Sequence, residues 1–438
     1  MLPSLSLAAA IAADADPALR RRAADGWLAR WLQTMSEYAR LQSSHPMVDA
    51  VIEEQHGRRI RVGDQWLADF ASCNYLGLDL EPEIIAAIPR YLEQWGTHPS
   101  WSRLLGSPVL YEEIEAQLTE LLGAEDTLLL PTITHIHFAL IPILAADGTI
   151  YMDRRAHKTI HDGAALARGN GADIKQFRHE DLDMLEELLR ERSNGPRLIC
   201  TDGINSMTGN ALDLERYAAL ARQYDALLYV DDAHGFGVIG ERSDDELCDY
   251  GTRGNAVVRH LGESYENVVL VGGFSKAYSS LLAFVACPSP LKRLLKTAAP
   301  PYAYSGPSPV ASLATVLEGL ALNERRGDEL RLALHQKTHR VLARLEELEM
   351  ATPNQSGFPI IEIPLADPDR VDEVGEYLFS RGIYVTIAAY PAVPRSQVGF
   401  RVQVTAANPD DQIDHLVDVL GELKQRFPFQ HPDQLRRR

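Results

Sequence analysis

Short apolar runs alternate with longer amphipathic stretches between residues 74 and 308. Glycine or charged residues bound the apolar runs within Ala226–Gly237 and Val268–Lys276, a pattern typical of strands that are buried on both faces of a parallel sheet. The stretches between the runs are long enough to cross the sheet as helices, so the pattern predicts an α/β fold with helices covering a mostly parallel sheet. A helix is predicted over Leu110–Leu122, and strands over Thr127–Leu130, Thr149–Met152, Arg197–Cys200, Leu227–Val230, Val268–Val271 and Phe284–Cys287.

The pattern changes after Pro309, where a long helical region precedes further strands. Helices are predicted over Ala311–Glu349 and Val371–Ser380 and after the Asn408-Pro409 cap, and strands over Pro359–Leu365, Ile383–Ala389 and Phe400–Thr405. These elements predict a smaller C-terminal α+β domain. The predicted domains are an N-terminal helical extension with a small-domain segment (1–73), a large domain (74–308), the C-terminal domain (309–427) and a polar tail (428–438).

Residues 17–43 repeat apolar positions at helical spacing. The stripe consists of Leu19, Trp27, Leu28, Trp31, Leu32 and Met35. A helix with such a stripe has to bury it, either against its own domain or against a second subunit. A polar hairpin-like segment, Arg58–Phe70, follows it along the chain.

Composition narrows the function classes. The 438 residues carry a formal charge of −18, which disfavours a broad surface for nucleic acid or anionic membrane. No apolar run approaches the roughly 18 residues that a membrane span requires. The four cysteines are far apart and form no Cys-x-x-Cys pair, so we expect neither a zinc site nor a disulfide framework, and a cytoplasmic protein.

Polar residues follow the predicted strands of the large domain. They are His157, Ser206, Asp231, His234 and Lys276. Because ligands of open α/β sheets bind at the carboxyl ends of the strands, we expect these side chains to share one pocket. A lysine that forms a Schiff base and a carboxylate that keeps a pyridine nitrogen protonated are what pyridoxal 5'-phosphate (PLP) requires. Taken singly, a lysine after a strand is usually a solvated strand end, and an Asp-Asp pair is usually a helix cap or a turn.

Several motifs in order along the chain resemble the α-oxoamine synthases, a family of fold-type I PLP-dependent enzymes. The motifs are Asn74-Tyr75-Leu76-Gly77-Leu78, Ser102-Arg103-Leu104, Asp153 to His157, Asp202 to Met207, Asp231 to Gly240, Phe274-Ser275-Lys276-Ala277 and Arg401 to Ala407. The resemblance runs from about Asn74 to Leu423 and implies the fold, PLP as cofactor and the residue roles that follow.

The resemblance implies that Lys276 bonds PLP as the Schiff-base lysine and carries a proton at the substrate α-carbon. Asp231 would pair with the pyridinium nitrogen, with Asp232 as its solvated neighbour. His157 would stack on the face of the ring. Lys276, Asp231 and His157 would be catalytic, together with His234.

His234 and Ser206 would hydrogen-bond the phenolic oxygen of the cofactor, although a structural serine is an alternative for Ser206. Arg401 would pair with the α-carboxylate of the substrate, a task that suits a guanidinium, although a structural ion pair is an alternative. Asn74 is the second candidate for the substrate carboxylate, because its neighbour Cys73 stands where several relatives have an asparagine.

The phosphate-binding pattern departs from the family. Gly273 replaces a threonine that many relatives have, and Pro131 to His135 replaces a Ser-Gly-aromatic turn. We therefore expect backbone N–H groups at Thr132, Ile133 and Thr134, together with the threonine hydroxyls, to hold the phosphate. Ser275 is a further cofactor-binding candidate, and Ser305 would reach the phosphate across a homodimer.

The expected reaction is the decarboxylative condensation of an α-amino acid with an acyl thioester, delivered on coenzyme A or on an acyl carrier protein. An aminotransferase or an aldolase of β-hydroxy amino acids is the alternative with the same cofactor. A non-enzymatic subunit of the same fold is a further alternative. The sequence leaves the amino acid and the acyl chain open.

Overall fold

The computed structural model describes residues 40–42, 44–191 and 195–435. Its strands, in chain order, are β1 (Glu54–His56), β2 (Arg59–Val62), β3 (Gln65–Phe70), β4 (Asp126–Leu130), β5 (Thr149–Asp153), β6 (Asp173–Phe177), β7 (Arg197–Asp202), β8 (Leu227–Asp231), β9 (Val268–Gly273), β10 (Ala283–Cys287), β11 (Ile360–Pro364), β12 (Ile383–Ala388) and β13 (Gly399–Gln403).

The α-helices, in chain order, are α1 (Pro82–Trp95), α2 (Val109–Leu122), α3 (Ile133–Ala145), α4 (Lys158–Gly169), α5 (Leu182–Arg190), α6 (Leu214–Gln223), α7 (Ala256–His260), α8 (Ser289–Ala298), α9 (Pro300–Ala303), α10 (Val310–Glu347), α11 (Val371–Ser380), α12 (Asp410–Arg426) and α13 (Pro432–Leu435). Among the described helices, none combines the length and the apolar character needed to cross a bilayer.

The chain divides into two compact units. The large unit comprises residues 73–336 and 405–407, and the small unit the described residues before 73 together with 337–404 and 408–435. The division falls inside α10, whereas the sequence placed a domain boundary at residue 308. The predicted N-terminal helix over residues 17–43 lies outside the described residues, apart from its last turn.

A seven-stranded sheet, in the order β4-β10-β9-β8-β7-β5-β6, forms the centre of the large unit. The five strands β9, β8, β7, β5 and β6 are parallel to one another, and β10 is antiparallel to both β9 and β4. Every residue of β9 and β10 is buried, as their continuous apolar sequences predict. Helices α3 and α4 pack against the sheet, with Leu140, Ile141 and Ile160 fully buried in the core.

The strand β6 was not predicted. Its sequence, Asp-Ile-Lys-Gln-Phe, is polar at three of five positions because it pairs only with β5 at the edge of the sheet. The other predicted strands of this unit occur within one or two residues of their expected bounds.

The small unit has a six-stranded sheet in the order β1-β2-β3-β12-β13-β11. Its pairs are antiparallel except for β3 with β12. Helix α12 begins at Asp410, with Pro409 rather than Asn408 at the cap position. The expected polar tail is packed at its start, because Phe429 is buried and forms an isolated bridge with Leu365.

Candidate active site

Two carboxylates lie side by side at the carboxyl edge of the large sheet. Asp202 ends β7 and Asp231 ends β8, and the two residues are paired in the strand register. Oδ1 of Asp231 accepts the N–H of Ala233 at 3.0 Å, and both side chains are buried. Burial, followed by the charge of Asp231, raises the pKa of Asp202 well above its ordinary value. The neutral form of Asp202 is thereby favoured.

Asp232 is not the solvated neighbour that the sequence suggested. Its side chain is fully buried, and Oδ2 accepts the N–H of Val257 at 2.8 Å. The following turn closes on this carboxyl group so tightly that a Cβ on Gly235 would lie 2.2 Å from Oδ1. Burial raises the pKa of Asp232 to about 8. The prediction was wrong because consecutive residues at a strand end point in opposite directions, and the chain covers both.

His157 lies directly before α4, and its backbone N–H donates to Oδ1 of Asp202 at 3.0 Å. Nδ1 of the ring is 2.7 Å from Oγ1 of Thr159. Part of the residue remains exposed to solvent. Burial by the surrounding protein lowers the pKa of His157, and the charge of Lys276 lowers it further against the opposing effect of Asp231. A neutral imidazole with an accessible face suits a stacking role.

Lys276 is half-buried and follows the end of β9, the strand next to β8. Its charge contributes to the pKa of His157, of Asp202 and of Asp232, as expected of an amine at the same edge of the sheet. The residue before it, Ser275, is exposed. The structure thus brings the predicted lysine, carboxylate and stacking histidine together at one edge.

His234 is buried, and its Nδ1 lies 2.8 Å from the hydroxyl of Tyr75, a fully buried side chain. If the tyrosine O–H donates, the proton of a neutral His234 is on Nε2, which makes that nitrogen a hydrogen-bond donor. Tyr75 was quoted in a sequence motif but was given no role. Ser206 is half-buried in the loop after β7.

The candidate phosphate residues lie at the start of α3. Thr132 caps this helix, and its Oγ1 accepts the N–H of His135 at 3.2 Å. Thr134 is exposed, and a Cβ on Gly273 would lie 2.6 Å from Cδ1 of Ile133. The isoleucine therefore fills the space that a larger residue at position 273 would need. Ser305 is half-buried in the segment between α9 and α10.

His137 belongs to the same cluster, and sequence reasoning missed it. One ligand-type atom from each of His137, His157 and Asp231 lies within 4.8 Å of the others. His137 is fully buried in α3, and this burial lowers its pKa to about 4. A histidine inside an apolar helix gives no sequence signal of chemistry, because such residues are usually part of the core.

The two candidates for the substrate carboxylate belong to different units. Asn74 is in the large unit, where its Nδ2 donates to Oδ2 of Asp79 at 3.1 Å. Arg401 is in the small unit, in the middle of β13, with Glu362 and Thr386 as its cross-strand neighbours. The substrate-binding roles of Asn74 and Arg401 stay predictions.

The residues of the large unit fit PLP. Lys276 is half-buried and its amine can bond an aldehyde covalently, and the buried Asp231 offers a carboxylate to a pyridinium nitrogen. Nε2 of His137 is buried without a hydrogen bond to any described residue and lies 3.3 Å from Oδ2 of Asp231. Together with the mostly parallel seven-stranded sheet, these residues indicate a PLP-dependent transferase of fold type I.

Comparison with known proteins identifies the family. The model of the aminotransferase class I and II family matches residues 67–420. An 8-amino-7-oxononanoate synthase from Pseudomonas paraeruginosa is 33% identical over 375 residues, which are 85% of this chain and 89% of that protein. The chain belongs to the aminotransferase class I and II family, and within it to the α-oxoamine synthases.

Solved structures agree in fold. A serine palmitoyltransferase from Sphingomonas wittichii has a TM-score of 0.82 at 24% identity, covering 92% of this chain and all of that one. A serine palmitoyltransferase with PLP gives a TM-score of 0.82 at 23% identity, with 91% of this chain and 98% of that one covered. The predicted family, fold class, cofactor and enzyme class, a PLP-dependent acyltransferase, are confirmed.

Proposed function

We propose that this protein catalyses the decarboxylative condensation of an α-amino acid with an acyl thioester. The α-carbon of the amino acid loses its proton and bonds to the acyl carbon, and the C–S bond breaks to release the thiolate, which takes up a proton. The α-carboxylate leaves as CO2, and a proton replaces it to give an α-aminoketone. The convergence of Lys276, Asp231 and His157 at one sheet edge carries this proposal, together with relatives that are named as synthases of this kind.

Each residue of the cluster has a role in this proposal. PLP, when bound, supplies an electron sink for the negative charge that develops at the α-carbon. Lys276 would hold the cofactor covalently and then move a proton at the α-carbon. Asp231 would keep the ring nitrogen protonated, because a buried carboxylate favours a nearby cation. His157 would cover one face of the ring, and His234 and Ser206 would hydrogen-bond its phenolic oxygen.

The phosphate would lie at the start of α3. Backbone N–H groups at a helix N-terminus point outward and favour an anion, so Ile133 and Thr134 would donate there. Thr132 and Ser275 would add hydroxyl contacts. Arg401 and Asn74 would bind the amino acid carboxylate.

We infer a homodimer in which Ser305 of one subunit reaches the phosphate site of the other. Large apolar side chains are exposed on two segments of the large unit, including Leu105 at 84% and Tyr304 at 84%. The segments are adjacent, because Nε2 of His98 contacts the carbonyl oxygen of Pro307 at 2.8 Å. An exposed apolar patch of this kind marks an interaction surface. Light scattering should give twice the chain mass, and a monomer for Leu105→Asp; a wild-type monomer would contradict the inference.

Thiol release tests the proposed reaction most directly. Purified protein with PLP is mixed with a panel of amino acids and an acyl thioester, and free thiol and CO2 are measured together. Equal amounts of both support the condensation. Formation of an oxo acid without thiol would indicate an aminotransferase. Release of an aldehyde from a β-hydroxy amino acid would indicate an aldolase. A colourless, inactive protein would indicate a non-enzymatic subunit.

Under this proposal, the acyl group is delivered either on coenzyme A or on an acyl carrier protein, and the thiol assay with each thioester compares the two carriers.

We place the enzyme in the cytoplasm. The four cysteines are all free thiols in the described chain, which suits a reducing compartment.

A further inference from the structure

The hydroxyl of Thr159, a half-buried residue, connects two histidines of the site. Nδ1 of His137 lies 2.7 Å from Oγ1 of Thr159, and Nδ1 of His157 also lies 2.7 Å from that oxygen. On the other side of His137, Nε2 lies 3.3 Å from Oδ2 of Asp231, within hydrogen-bond distance, although the two groups are not aligned as a hydrogen bond in the structure. The four side chains therefore form a continuous row from the carboxylate to the exposed histidine.

The single proton of the hydroxyl restricts the protonation of both rings. Thr159 can donate to only one Nδ1, so the other Nδ1 must carry a proton and donate to the oxygen. If Thr159 donates to His137, a neutral His137 carries its proton on Nε2, which then faces the carboxylate of Asp231. If Thr159 instead donates to His157, a neutral His137 turns a lone pair toward that negative charge.

Electrostatics favours the first arrangement, in which Thr159 donates its proton to His137. A lone pair against a carboxylate in a dry interior is costly, whereas an N–H donated to a carboxylate is among the stronger hydrogen bonds. The second arrangement, in which Thr159 donates to His157, is supported by one contact, because the backbone N–H of Thr159 points to Nδ1 of His157 as an acceptor. This contact is long, at 3.4 Å. The ring of His137 also packs edge-on against Tyr229, with centroids 5.7 Å apart, which limits its rotation.

We propose that His137 and Thr159 are positioning residues that hold the Asp231 carboxylate and fix the tautomer of His157. His137 donates Nε2–H to Asp231, Thr159 donates to His137, and His157 donates Nδ1–H to Thr159. Nε2 of His157, an exposed residue, is then unprotonated. The part of this inference that concerns the cofactor rests on the proposed function, because it takes Asp231 as the partner of the ring nitrogen.

The charged and titratable groups around His137 agree with a neutral ring. Asp231 on β8 raises its pKa, whereas His157 before α4 and Lys276 after β9 lower it, and burial lowers it most. With a pKa of about 4, His137 is neutral between pH 6 and 9. Its tautomer, rather than its charge, is therefore what the chain of hydrogen bonds sets.

The first arm of the test uses the apoprotein. Long-range ¹H–¹⁵N spectra of ¹⁵N-histidine-labelled protein at pH 7.5 distinguish the two neutral tautomers, and His137→Gln and His157→Gln assign the signals. We expect Nε2–H for His137 and Nδ1–H for His157. Thr159→Val should leave His157 as a mixture of tautomers. A wild-type His137 with its proton on Nδ1 would overturn the inference, whether or not the protein is a condensing enzyme.

The second arm uses the PLP-loaded protein. His137→Leu should weaken PLP binding and lower kcat by about 10–100-fold, the effect of losing a hydrogen bond to a charged group, with little change in the KM for the thioester. His137→Gln keeps an N–H donor and should recover most of the loss. The absorbance spectrum of bound PLP should change with pH differently in His137→Leu, and His161→Gln on α4 serves as the matched histidine control.

The outcomes separate the two proposals. If wild-type protein fails to bind PLP, the proposed function fails, and the apoprotein spectra still decide the hydrogen-bond order. If PLP binds and His137→Leu matches the wild type in affinity, spectrum and kcat, the positioning role is wrong and the proposed function stands. Should His137→Leu not fold, Thr159→Val provides the same comparison.

Discussion

The two sheets of this protein carry their polar residues in different places. In the seven-stranded sheet, Asp202 and Asp231 are the last residues of adjacent parallel strands, and the strand interiors are apolar. In the six-stranded sheet, Arg401 and Glu362 are the middle residues of two adjacent antiparallel strands.

The position of a polar residue along its strand indicates whether it can bind a ligand or pair with another residue of the sheet. Groups at the ends of neighbouring parallel strands accumulate at one edge, where a third molecule can reach them together. Groups in the middle of antiparallel strands face each other across the pair and can satisfy one another. Substitutions in each of the two sheets test this difference.

Lys276→Ala should abolish the absorbance of bound PLP and lower turnover at least roughly a thousandfold, because the amine both holds the cofactor and moves the proton. The measurement is the visible spectrum together with the thiol-release rate. Lys296→Ala on α8 is the matched control and should behave as the wild type. Turnover by Lys276→Ala at the wild-type rate would show that the edge of the large sheet is not the active site.

Arg401→Lys tests the small sheet. If Arg401 binds the substrate carboxylate through two hydrogen bonds, loss of its planar fork should raise the amino acid KM by about 10–100-fold without changing the PLP spectrum. Glu362→Gln should leave that KM unchanged. A lower melting temperature with an unchanged KM for Arg401→Lys would instead make the arginine a structural partner within the sheet.

Gly273→Thr tests the phosphate end of the large sheet. The added Cβ meets the end of Ile133, so we expect destabilisation by about 1–3 kcal/mol and weaker PLP binding. Ile133→Ala combined with Gly273→Thr should cost less than the sum of the two single changes. Melting temperatures and PLP titrations of all four proteins measure this coupling; strictly additive effects would contradict the shared space.

Tyr75→Phe should lower kcat by about 2–10-fold and shift the absorbance of bound PLP, because one neutral hydrogen bond to His234 is lost. Tyr278→Phe is the control, since the buried hydroxyl of Tyr278 has no hydrogen-bond partner among the described residues. Equal effects of the two substitutions would show that Tyr75 acts through packing alone.

Asp232→Asn should leave activity at pH 7 nearly unchanged and alter the pH dependence of stability. The pKa of Asp232 is raised to about 8, so between pH 4 and 8 the folded state holds a proton that the unfolded state releases. The free energy of unfolding of the wild type should therefore fall as pH rises through this window, by at most ~1.4 kcal/mol per pH unit from this group, and level off above pH 8. Urea unfolding from pH 5 to 9 should show a shallower fall for the variant; parallel curves would contradict the raised pKa.

The sequence predicted the large sheet well, because its central strands are buried on both faces and read as continuous apolar runs. It missed β6, whose edge position leaves it polar. It also predicted which residues follow the strands, and hence that Asp231, His157 and Lys276 would share an edge.

Contacts between residues that only folding brings together could not be predicted from the sequence. Asp232 looks solvated beside Asp231, and only the closure of the chain around Gly235 buries it. His137 looks like a core residue of an apolar helix, and only the packing of α3 beside β8 brings its ring to the Asp231 carboxylate. The complementarity of Ile133 and Gly273 is likewise a consequence of folding, since the two residues are far apart along the chain.

Borohydride reduction of the purified PLP-bound protein, followed by peptide mass spectrometry, tests the central claim most directly. Reduction makes the bond between the cofactor and its lysine permanent, so the modified residue can be read from the fragment masses. We predict a single phosphopyridoxyl group, on Lys276. A label on any other lysine, or a protein that stays unlabelled while still turning over, would contradict the active site described above.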